Sequence, residues 1–578
     1  EGALPIEATI QVPEIGGKIS FNGVTSLSGA LDVQGQTSIN RKSIGGLLAV
    51  VTGENDGSLN QDLGIEGLIS ASENQIKLDN LKVSTGDFTG NGKISVQNLK
   101  AKNPLLVTGD IKSSDVLNLN PFLKTSSDKK TSSRKPSDAS TVKSSNKDIV
   151  PSSLTLPMDI NTNFKLDVAA LRFQKYNLRG VAVDLNKKGK EFKTSFNVSE
   201  MPGQAKAAGA LLINYASSSQ SQKTGQVTYS DPTIKYTVDG NIGQLAAFLN
   251  EFAPDVDAKS ITKNYNSAQF NLDGTFNGGA IRLNDSAVKL DGLVVGLKGS
   301  YKPATASNRA SAILEASADA VDLDKFTGGV KKTASGDTSS GTAKTSSVDK
   351  ADALKPLRNL SLPLDLDFDV SIQKLRMGGK DISGLRADGK ILPNKLTLDA
   401  LSVNNYAGAA LSAKGVINNL KELSGIDLTG YIKTDDLKSF ANTMNIDVSK
   451  LPSSVNQLEA SVEGKGKINN LSFASNVKAL GGSLDASGMV NNVLKTPEFS
   501  DLALRVIHPN ANNAIKAVSP DFKASDALNQ AVDFYAKINS SGKVYDLSGI
   551  KAKLGTSDFT GNLKVDMGNK ITAVSGDI

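Results

Sequence analysis

Several residue types that usually carry catalysis or metal binding are missing or rare in this sequence. It contains no cysteine, no tryptophan and one histidine, His508, among 578 residues. The absence of cysteine excludes disulfides, thiolate metal sites and a thiol nucleophile, and a single histidine excludes a metal site with two histidine ligands. No apolar run approaches the ~18 residues that a membrane-spanning helix needs. The side chains on which enzymes and metal centres commonly depend are therefore scarce.

Aromatic residues and excess charge are also scarce. Aromatic residues make up 5% of the chain and the net charge is +6, with lysine and aspartate interspersed. So little aromatic area argues against the large packed cores of a conventional multidomain enzyme. Without a dense basic stretch we expect no nucleic-acid binding. The length exceeds what one compact core can hold, so the chain forms several domains or an extended array.

What the sequence does contain is apolar residues at every second position. Leu364, Leu366, Phe368, Val370 and Ile372 alternate with polar residues. Met158, Ile160, Phe164, Leu166 and Val168 follow the same rule, and so do residues 76–83, 288–297, 396–403 and 544–554. A period of two predicts strands with one apolar and one polar face, which is typical of antiparallel sheets.

Two Ser/Thr/Lys-rich stretches divide the chain. Residues 124–150 and 327–353 are nearly devoid of large apolar side chains, so they cannot bury enough surface to offset the entropy of ordering, and we interpret both as disordered linkers. The division predicts three β units, at 1–123, 151–326 and 354–578. The first of them is expected to lack an upstream part, because the chain opens at Glu1 without a methionine.

Shorter repeats lie inside these units. Thr85–Asn91 recurs as Thr556–Asn562 with six of seven positions identical, and we predict a hairpin corner where glycine and asparagine adopt positive φ. Gly109–Val116 is echoed by Gly430–Leu437, which predicts a repeated strand-then-helix ending. Helical spacing appears only briefly, at Ile242–Phe252 and at Leu437–Met444 after a cap at Asp435 or Asp436.

A sheet with an apolar face has to cover that face, and the few short helices cannot do so along the whole chain. The sequence therefore predicts a mainly β fold, a long repetitive antiparallel sheet curved into an apolar groove, with short helices at the ends of repeats. Barrels and sandwiches are the other ways to cover such a face. The predicted groove-lining residues are Met158, Ile160, Phe164, Leu166, Val168, Leu364, Leu366, Phe368, Val370, Ile372, Leu396 and Leu398.

The order of several degenerate motifs resembles that of the AsmA family of bacterial envelope proteins, over essentially the whole chain. The motifs are Leu4–Thr9, Phe21–Gly23, Leu78–Leu81, Asp87–Gly90, Ile111–Leu123, Leu156–Asp159, Leu362–Asp365, Leu396–Leu401, Tyr406–Gly408, His508–Pro509 and Ser519–Asp521. The resemblance implies a β-groove in the periplasm that moves phospholipid towards the outer membrane and supports outer-membrane assembly. It also implies a tether to the inner membrane through a helix upstream of this chain, and contacts with outer-membrane proteins.

The residues that could carry chemistry have simpler interpretations. His508 lies at a strand-to-turn junction, and Asp365, Asp367 and Asp369 occupy the polar face of one strand without the spacing of a calcium loop. The paired glycines lack the Gly-Lys-Ser/Thr ending of a phosphate loop. We therefore expect no catalytic residue, no metal and no cofactor. Two functions stay open: a carrier or conduit for phospholipid or another acyl-chain lipid, and a structural or adhesive β-repeat protein without a lipid ligand.

Overall fold

The computed structural model describes most of the chain. The described residues are 3–12, 17–26, 32–41, 62–100, 103–120, 153–156, 158–223, 225–254, 258–327, 354–443, 456–494, 497–518, 523, 525–568 and 572–577. The stretch 124–150 and all but the first residue of 327–353, interpreted above as linkers, lie outside them. That interpretation and the three-unit division stay predictions.

The fold is mainly β, as the alternation predicts, with 73% of the described residues in strands and 7% in helices. The chain separates into two compact units, Glu1–Gly292 and Leu293–Ile578. Each unit is an open, curved sheet whose neighbouring strands run antiparallel almost throughout. The expected long antiparallel sheet with a few short helices is confirmed at this level.

The strands of the first unit are long and mostly joined by short turns. They are β1 (Ala3–Val12), β2 (Gly17–Ser26), β3 (Asp32–Arg41), β4 (Leu63–Ser72), β5 (Gln75–Thr85), β6 (Phe88–Gln97), β7 (Leu105–Asn118), β8 (Ser153–Leu156), β9 (Ile160–Phe173), β10 (Tyr176–Lys188), β11 (Glu191–Met201), β12 (Ala205–Gln220), β13 (Val227–Ile242), β14 (Ala268–Asn277) and β15 (Ala280–Leu290).

The second unit repeats this plan. Its strands are β16 (Leu293–Lys302), β17 (Ser311–Asp322), β18 (Asp365–Met377), β19 (Lys380–Leu392), β20 (Lys395–Tyr406), β21 (Ala409–Asn419), β22 (Ser424–Thr434), β23 (Leu458–Lys467), β24 (Asn470–Ala479), β25 (Gly482–Asn491), β26 (Glu498–His508), β27 (Val532–Ser541), β28 (Val544–Leu554), β29 (Ser557–Asp566) and β30 (Ala573–Asp577).

The helices are short and most follow the end of a strand. They are α1 (Leu245–Phe252), α2 (Ala258–Thr262), α3 (Asp324–Thr327), α4 (Lys355–Arg358), α5 (Leu437–Thr443) and α6 (Ala511–Val518). Two of them match the predicted helices, although Ile242 still belongs to β13. Asp436 is the cap of α5, since its carboxylate accepts a hydrogen bond from the Ser439 N–H at 2.9 Å.

One pairing in each unit departs from the antiparallel rule. In the first unit β7 pairs parallel to β9, and in the second β17 pairs parallel to β18. Strands β9 and β18 therefore begin at the edge of the sheet opposite to the one where their parallel partners β7 and β17 end. We call the edge at which β9 and β18 begin the lower rim of each unit, and the edge at which they end the upper rim.

Three local predictions need correction. Gly86 has φ +55°, but Asn91 and Asn562 are not among the residues with positive φ and lie inside β6 and β29. The two copies of this motif also turn at different places, at residues 86–87 and 555–556, so the second copy is shifted by two residues. A shift of two keeps every side chain on its face, which explains how one motif serves both hairpins.

The second correction concerns Gly109–Val116, which does not end in a helix because β7 continues to Asn118. The parallel pairing with β9, with a register shift between Ser113 and Val116, extends this strand. The third concerns residues 288–297, which are not one strand. Strand β15 ends at Leu290, and a turn at Asp291 and Gly292, both with positive φ, precedes β16.

Candidate functional site

In the first unit the predicted apolar residues of β9 share one face. Phe164 lies between Gly109 of β7 and Leu185 of β10, and Leu166 lies between Ile111 and Val183. Ile160 and Val168 lie on the same face at the two ends of this row, because side chains alternate between the two faces along a strand. Met158 precedes β9 and keeps 46% of its surface exposed. It is therefore not part of the strand row.

In the second unit Leu366, Phe368, Val370 and Ile372 form the corresponding row on β18. Phe368 is paired with Gly389, which is paired in turn with Leu398, and Ile391 links Leu366 to Leu396 in the same way. The structure thus brings six of the seven predicted residues of this unit onto one face. The seventh, Leu364, lies just before β18 and is half-buried.

The apolar face has buried positions with half-buried stretches between them. On β22 of the second unit, Ile426 and Thr434 are buried at the two ends, whereas Leu428 and Ile432 between them are only half-buried. In the first unit Val168, Val181 and Val198 form a buried cluster on β9, β10 and β11. Between this cluster and the buried Lys187, Val183 and Leu185 of β10 are only half-buried. The face is therefore a trough whose apolar floor is partly open.

The lower rim is sealed by the chain segment that precedes β9 or β18. In the first unit Leu154 and Leu156 of β8, which pairs with the start of β13, pack on Tyr215, Val227 and Tyr229. In the second unit Leu354, Leu357 and Leu360 in and beside α4 pack on a buried cluster made of Ile417, Leu420, Leu423 and Ile426. A strand and a helical turn thus perform the same covering role in the two units.

The upper rim is held by side chains that connect one hairpin to the next. Thr434 donates a hydrogen bond to the Gly408 carbonyl (2.9 Å) and accepts one from the Asp436 N–H (3.0 Å). Ser113 likewise donates a hydrogen bond to the Thr89 carbonyl and accepts one from the Asp115 N–H. These positions correspond in the repeat of Gly109–Val116 and Gly430–Leu437, so the repeat marks this contact rather than a helix.

His508 occupies the equivalent place at the end of β26. Its Nε2 lies 2.9 Å from the Leu480 carbonyl, and its Nδ1 accepts a hydrogen bond from the Asn510 N–H, also at 2.9 Å. Because Nε2 faces a carbonyl and Nδ1 accepts from an N–H, the ring is neutral and carries its proton on Nε2. Both ring nitrogens are therefore engaged by the backbone at a sealed rim.

Sequence reasoning missed a recurrent pairing of phenylalanine with glycine on the apolar face. A Cβ added at Gly109 would lie 2.5 Å from the ring of Phe164, and one at Gly209 would lie 2.9 Å from Phe196. A Cβ added at Gly240 would likewise meet the ring of Phe270, and one at Gly389 would meet the ring of Phe368. Each ring therefore lies over a neighbouring strand instead of projecting from the face. The sequence did contain a signal for this packing, namely glycines within strands of alternating apolar residues.

Lys187 was also missed, although it continues the apolar row formed by Val181, Val183 and Leu185. Its Nζ lies 3.4 Å from Asp159 Oδ1 and 4.9 Å from the centroid of the Tyr229 ring, and its side chain is 2% exposed. Tyr229 donates a hydrogen bond to the same carboxylate oxygen at 3.0 Å. Burial lowers the pKa of Lys187, and the Asp159 carboxylate opposes that shift.

The opposite face carries ion pairs instead of a cluster of free carboxylates. Asp367 accepts from Lys390 at 2.8 Å, Asp369 from Arg386 at 3.1 Å, and Asp365 from Arg309 at 3.1 Å. Within the described ranges no three His, Cys, Asp or Glu side chains are grouped as metal ligands would be. The three aspartates are thus cross-strand partners of basic residues.

Comparisons with known proteins add no relative. No protein-family model, no curated protein and no solved structure matches the chain. Among the residues that the structure describes, no helix is both long and apolar enough to span a membrane. The apolar trough is therefore the feature of this protein from which a function can be inferred.

Proposed function

We propose that this protein binds lipid along its apolar trough and acts as a bridge-like lipid-transfer protein. The observation that carries the proposal is the burial profile, in which half-buried apolar side chains lie between buried positions on the same strands in each unit. A floor of this kind offers apolar area to a ligand, whereas both rims already have protein partners.

The physical gain for such a ligand is large. Exposing a phospholipid with ~30 methylenes to water costs on the order of 20 kcal/mol at ~0.8 kcal/mol per methylene. A trough keeps the acyl chains on Leu, Val, Ile and Phe while the headgroup stays in solvent, so no charge has to be buried. The rings that lie over glycines keep the floor low enough for a chain to pass along it.

The resemblance to the AsmA family supplies the cellular part of this proposal. It favours a periplasmic protein, tethered to the inner membrane by a segment upstream of this chain, that carries phospholipid towards the outer membrane for its assembly. Outer-membrane proteins are the partners it favours. The proposal contains no catalytic step, in keeping with the backbone contacts of His508 and the ion pairs of Asp365, Asp367 and Asp369.

Lipid that remains bound through purification tests this proposal. The purified chain is washed, extracted with organic solvent, and the extract is measured by mass spectrometry alongside an unrelated β protein from the same cells. We expect acyl lipid in at least equimolar amount in the extract of this chain and not in the extract of the unrelated protein. Lipid at the level of the unrelated protein would favour the structural or adhesive alternative.

Photocrosslinking locates the bound lipid. A benzophenone side chain at Val370, on the apolar face, is compared with one at Ser371, the next residue on the polar face of β18. We expect crosslinked lipid at Val370 alone. Equal labelling at the two positions would place the lipid outside the trough.

A further inference from the structure

Arg41 lies on the apolar face of the first unit and has no counter-ion among the residues that the structure describes. Arg41 is the last residue of β3, paired with Gly17 of β2 and Leu63 of β4. By the alternation of the strand it shares a face with Ile39 and Thr37. The direction of β3 places it at the upper rim of the first unit, and 6% of its surface is exposed.

The guanidinium of Arg41 is not satisfied by the described part of the protein. Its Nε and Nη1 are buried, and neither donates a hydrogen bond to any acceptor there. Arg309, Arg386 and Arg505, in contrast, each lie within 3.1 Å of a carboxylate oxygen. A buried cation without a partner is strongly unfavourable, and buried polar groups without partners call for an explanation.

An apolar row that is partly open lies beside Arg41 on the same face. The paired residues Ile10, Ile19, Ile39 and Ile65 cross four strands next to it on the same face. Ile10 keeps 56% of its surface exposed. A cation beside free apolar surface is complementary to a molecule that has an anionic group at one end and an acyl chain at the other.

We propose that Arg41 binds the phosphate group of an acyl-chain amphiphile whose chain lies on the isoleucine row. This inference rests on the proposed lipid-binding function and adds a headgroup class and a place. Guanidinium is well suited to phosphate because it is always charged and donates several hydrogen bonds from one plane. Free phosphate shares this chemistry, so the experiment has to separate the two sources.

Three probes are titrated against the whole purified chain after removal of bound lipid. Fluorescent phosphatidic acid carries both phosphate and acyl chains, fluorescent diacylglycerol has the same chains without phosphate, and inorganic phosphate has no chains. The variants are Arg41→Gln and Arg41→Lys. The matched control is Arg179→Gln, an exposed arginine of the same unit that pairs with Glu200 on the polar face.

We expect Arg41→Gln to weaken phosphatidic acid binding at least tenfold and to leave diacylglycerol binding unchanged. Arg41→Lys should retain most of the preference for phosphate, and Arg179→Gln should behave as the wild type. The thermal midpoint of the lipid-free Arg41→Gln protein should be at or above that of the wild type, because an unpaired buried charge is removed. This measurement also shows that the variant is folded.

Other results would overturn the inference. Equal loss of both acyl probes in a folded Arg41→Gln protein, or no loss of either, would exclude a phosphate contact. Inorganic phosphate binding as tightly as phosphatidic acid would identify free phosphate as the ligand and exclude the lipid. If neither acyl probe binds the wild type, the proposed lipid-binding function itself fails, and the inference that rests on it fails with it.

Discussion

At the scale of single residues, His508 links two hairpins through its ring nitrogens. Thr434 at the end of β22 and Ser113 within β7 make the same pair of contacts with hydroxyl groups. The one histidine of the chain is thus one of the side chains that hold the upper rim of its unit. Its position next to a turn was visible in the sequence, but the carbonyl of Leu480, 28 residues earlier, was not.

We predict that His508→Ala lowers the free energy of unfolding by about 2 kcal/mol, because it leaves a buried carbonyl and a buried N–H unpaired and removes packed atoms. His508→Thr should cost less, since Thr434 shows that a hydroxyl can serve both partners. Lipid binding at 25 °C should stay as in the wild type for both. Urea unfolding and lipid titration measure the two quantities, and loss of lipid binding in a folded variant would point to a direct role of the ring.

Lys187 provides a second prediction at this scale. Removing its counter-ion with Asp159→Asn leaves the buried ammonium with a hydrogen bond to the Ile160 carbonyl but no opposite charge. This should cost about 2 kcal/mol, less than the ~3–5 kcal/mol of a fully buried pair, because the Asp159 side chain is 39% exposed. Lys187→Met keeps the packing against Tyr229 and removes the buried charge. We therefore expect it to be as stable as the wild type or more stable, as measured by urea unfolding. A greater loss with Lys187→Met than with Asp159→Asn would contradict this account.

The lowered pKa of Lys187 predicts that the stability of the folded protein depends on pH. Its pKa in the folded protein is lowered below the usual 10.5, so between the two values the unfolded chain binds more protons than the folded one. Stability then rises with pH in that window. The wild type should gain stability relative to Lys187→Met as the pH is raised from neutral towards 10, and a constant difference between them would contradict the lowered pKa.

At the scale of secondary-structure elements, the two parallel pairings determine how the chain must connect. Strand β7 ends at the upper rim, whereas β8 pairs with the start of β13 at the lower rim. The 14 residues of β9 span about 46 Å between these rims at ~3.3 Å per residue. The connection from Asn120 to Ser153 has to cover a distance of this order.

This distance limits how far the low-complexity stretch can be shortened. Deleting residues 124–150 leaves five residues, 121–123 and 151–152, which reach about 22 Å when fully extended. We expect that deletion to detach β8 and lower the thermal midpoint, because Leu154 and Leu156 leave the lower rim. Deleting only 130–140 should have little effect. Full stability after the complete deletion would refute the parallel pairing of β7 and β9.

The strands were predictable because each leaves a local signature. Alternation along Leu366–Ile372 and Phe164–Val168 fixes both the strand and the face that each side chain occupies. The sequence did not show that β7 and β9 run parallel, because the pairing partners lie on either side of a long stretch without apolar pattern. It also did not show which rim each segment seals, since Leu154 and Leu357 have no periodicity that points to their partners.

The candidate site was predictable in part for the same reason. The residues of the apolar rows follow from periodicity, whereas Arg41 and Lys187 break the pattern and look like ordinary surface charges in a sequence. Their importance appears only when burial and the lack or presence of a carboxylate partner are known. The two predicted residues outside the rows, Met158 and Leu364, precede their strands by one or two positions, where alternation no longer fixes the face.

At the scale of the whole molecule, the central claim is that lipid passes along the apolar faces of both units. The direct measurement is lipid transfer between two vesicle populations, or outer-membrane integrity in cells, with one charge added at a time. The trough variants are Leu166→Asp in the first unit and Phe368→Asp in the second. Their matched controls, Asn163→Asp and Ser371→Asp, add the same charge to the polar face of the same strands.

A charge that faces the acyl chains has to be desolvated whenever lipid passes, so each trough variant alone should reduce transfer at least tenfold. Both control variants should transfer lipid as the wild type does. A loss confined to one unit would indicate that only that unit carries lipid. Equal transfer by all four folded variants would contradict the account and favour a structural protein without a lipid ligand.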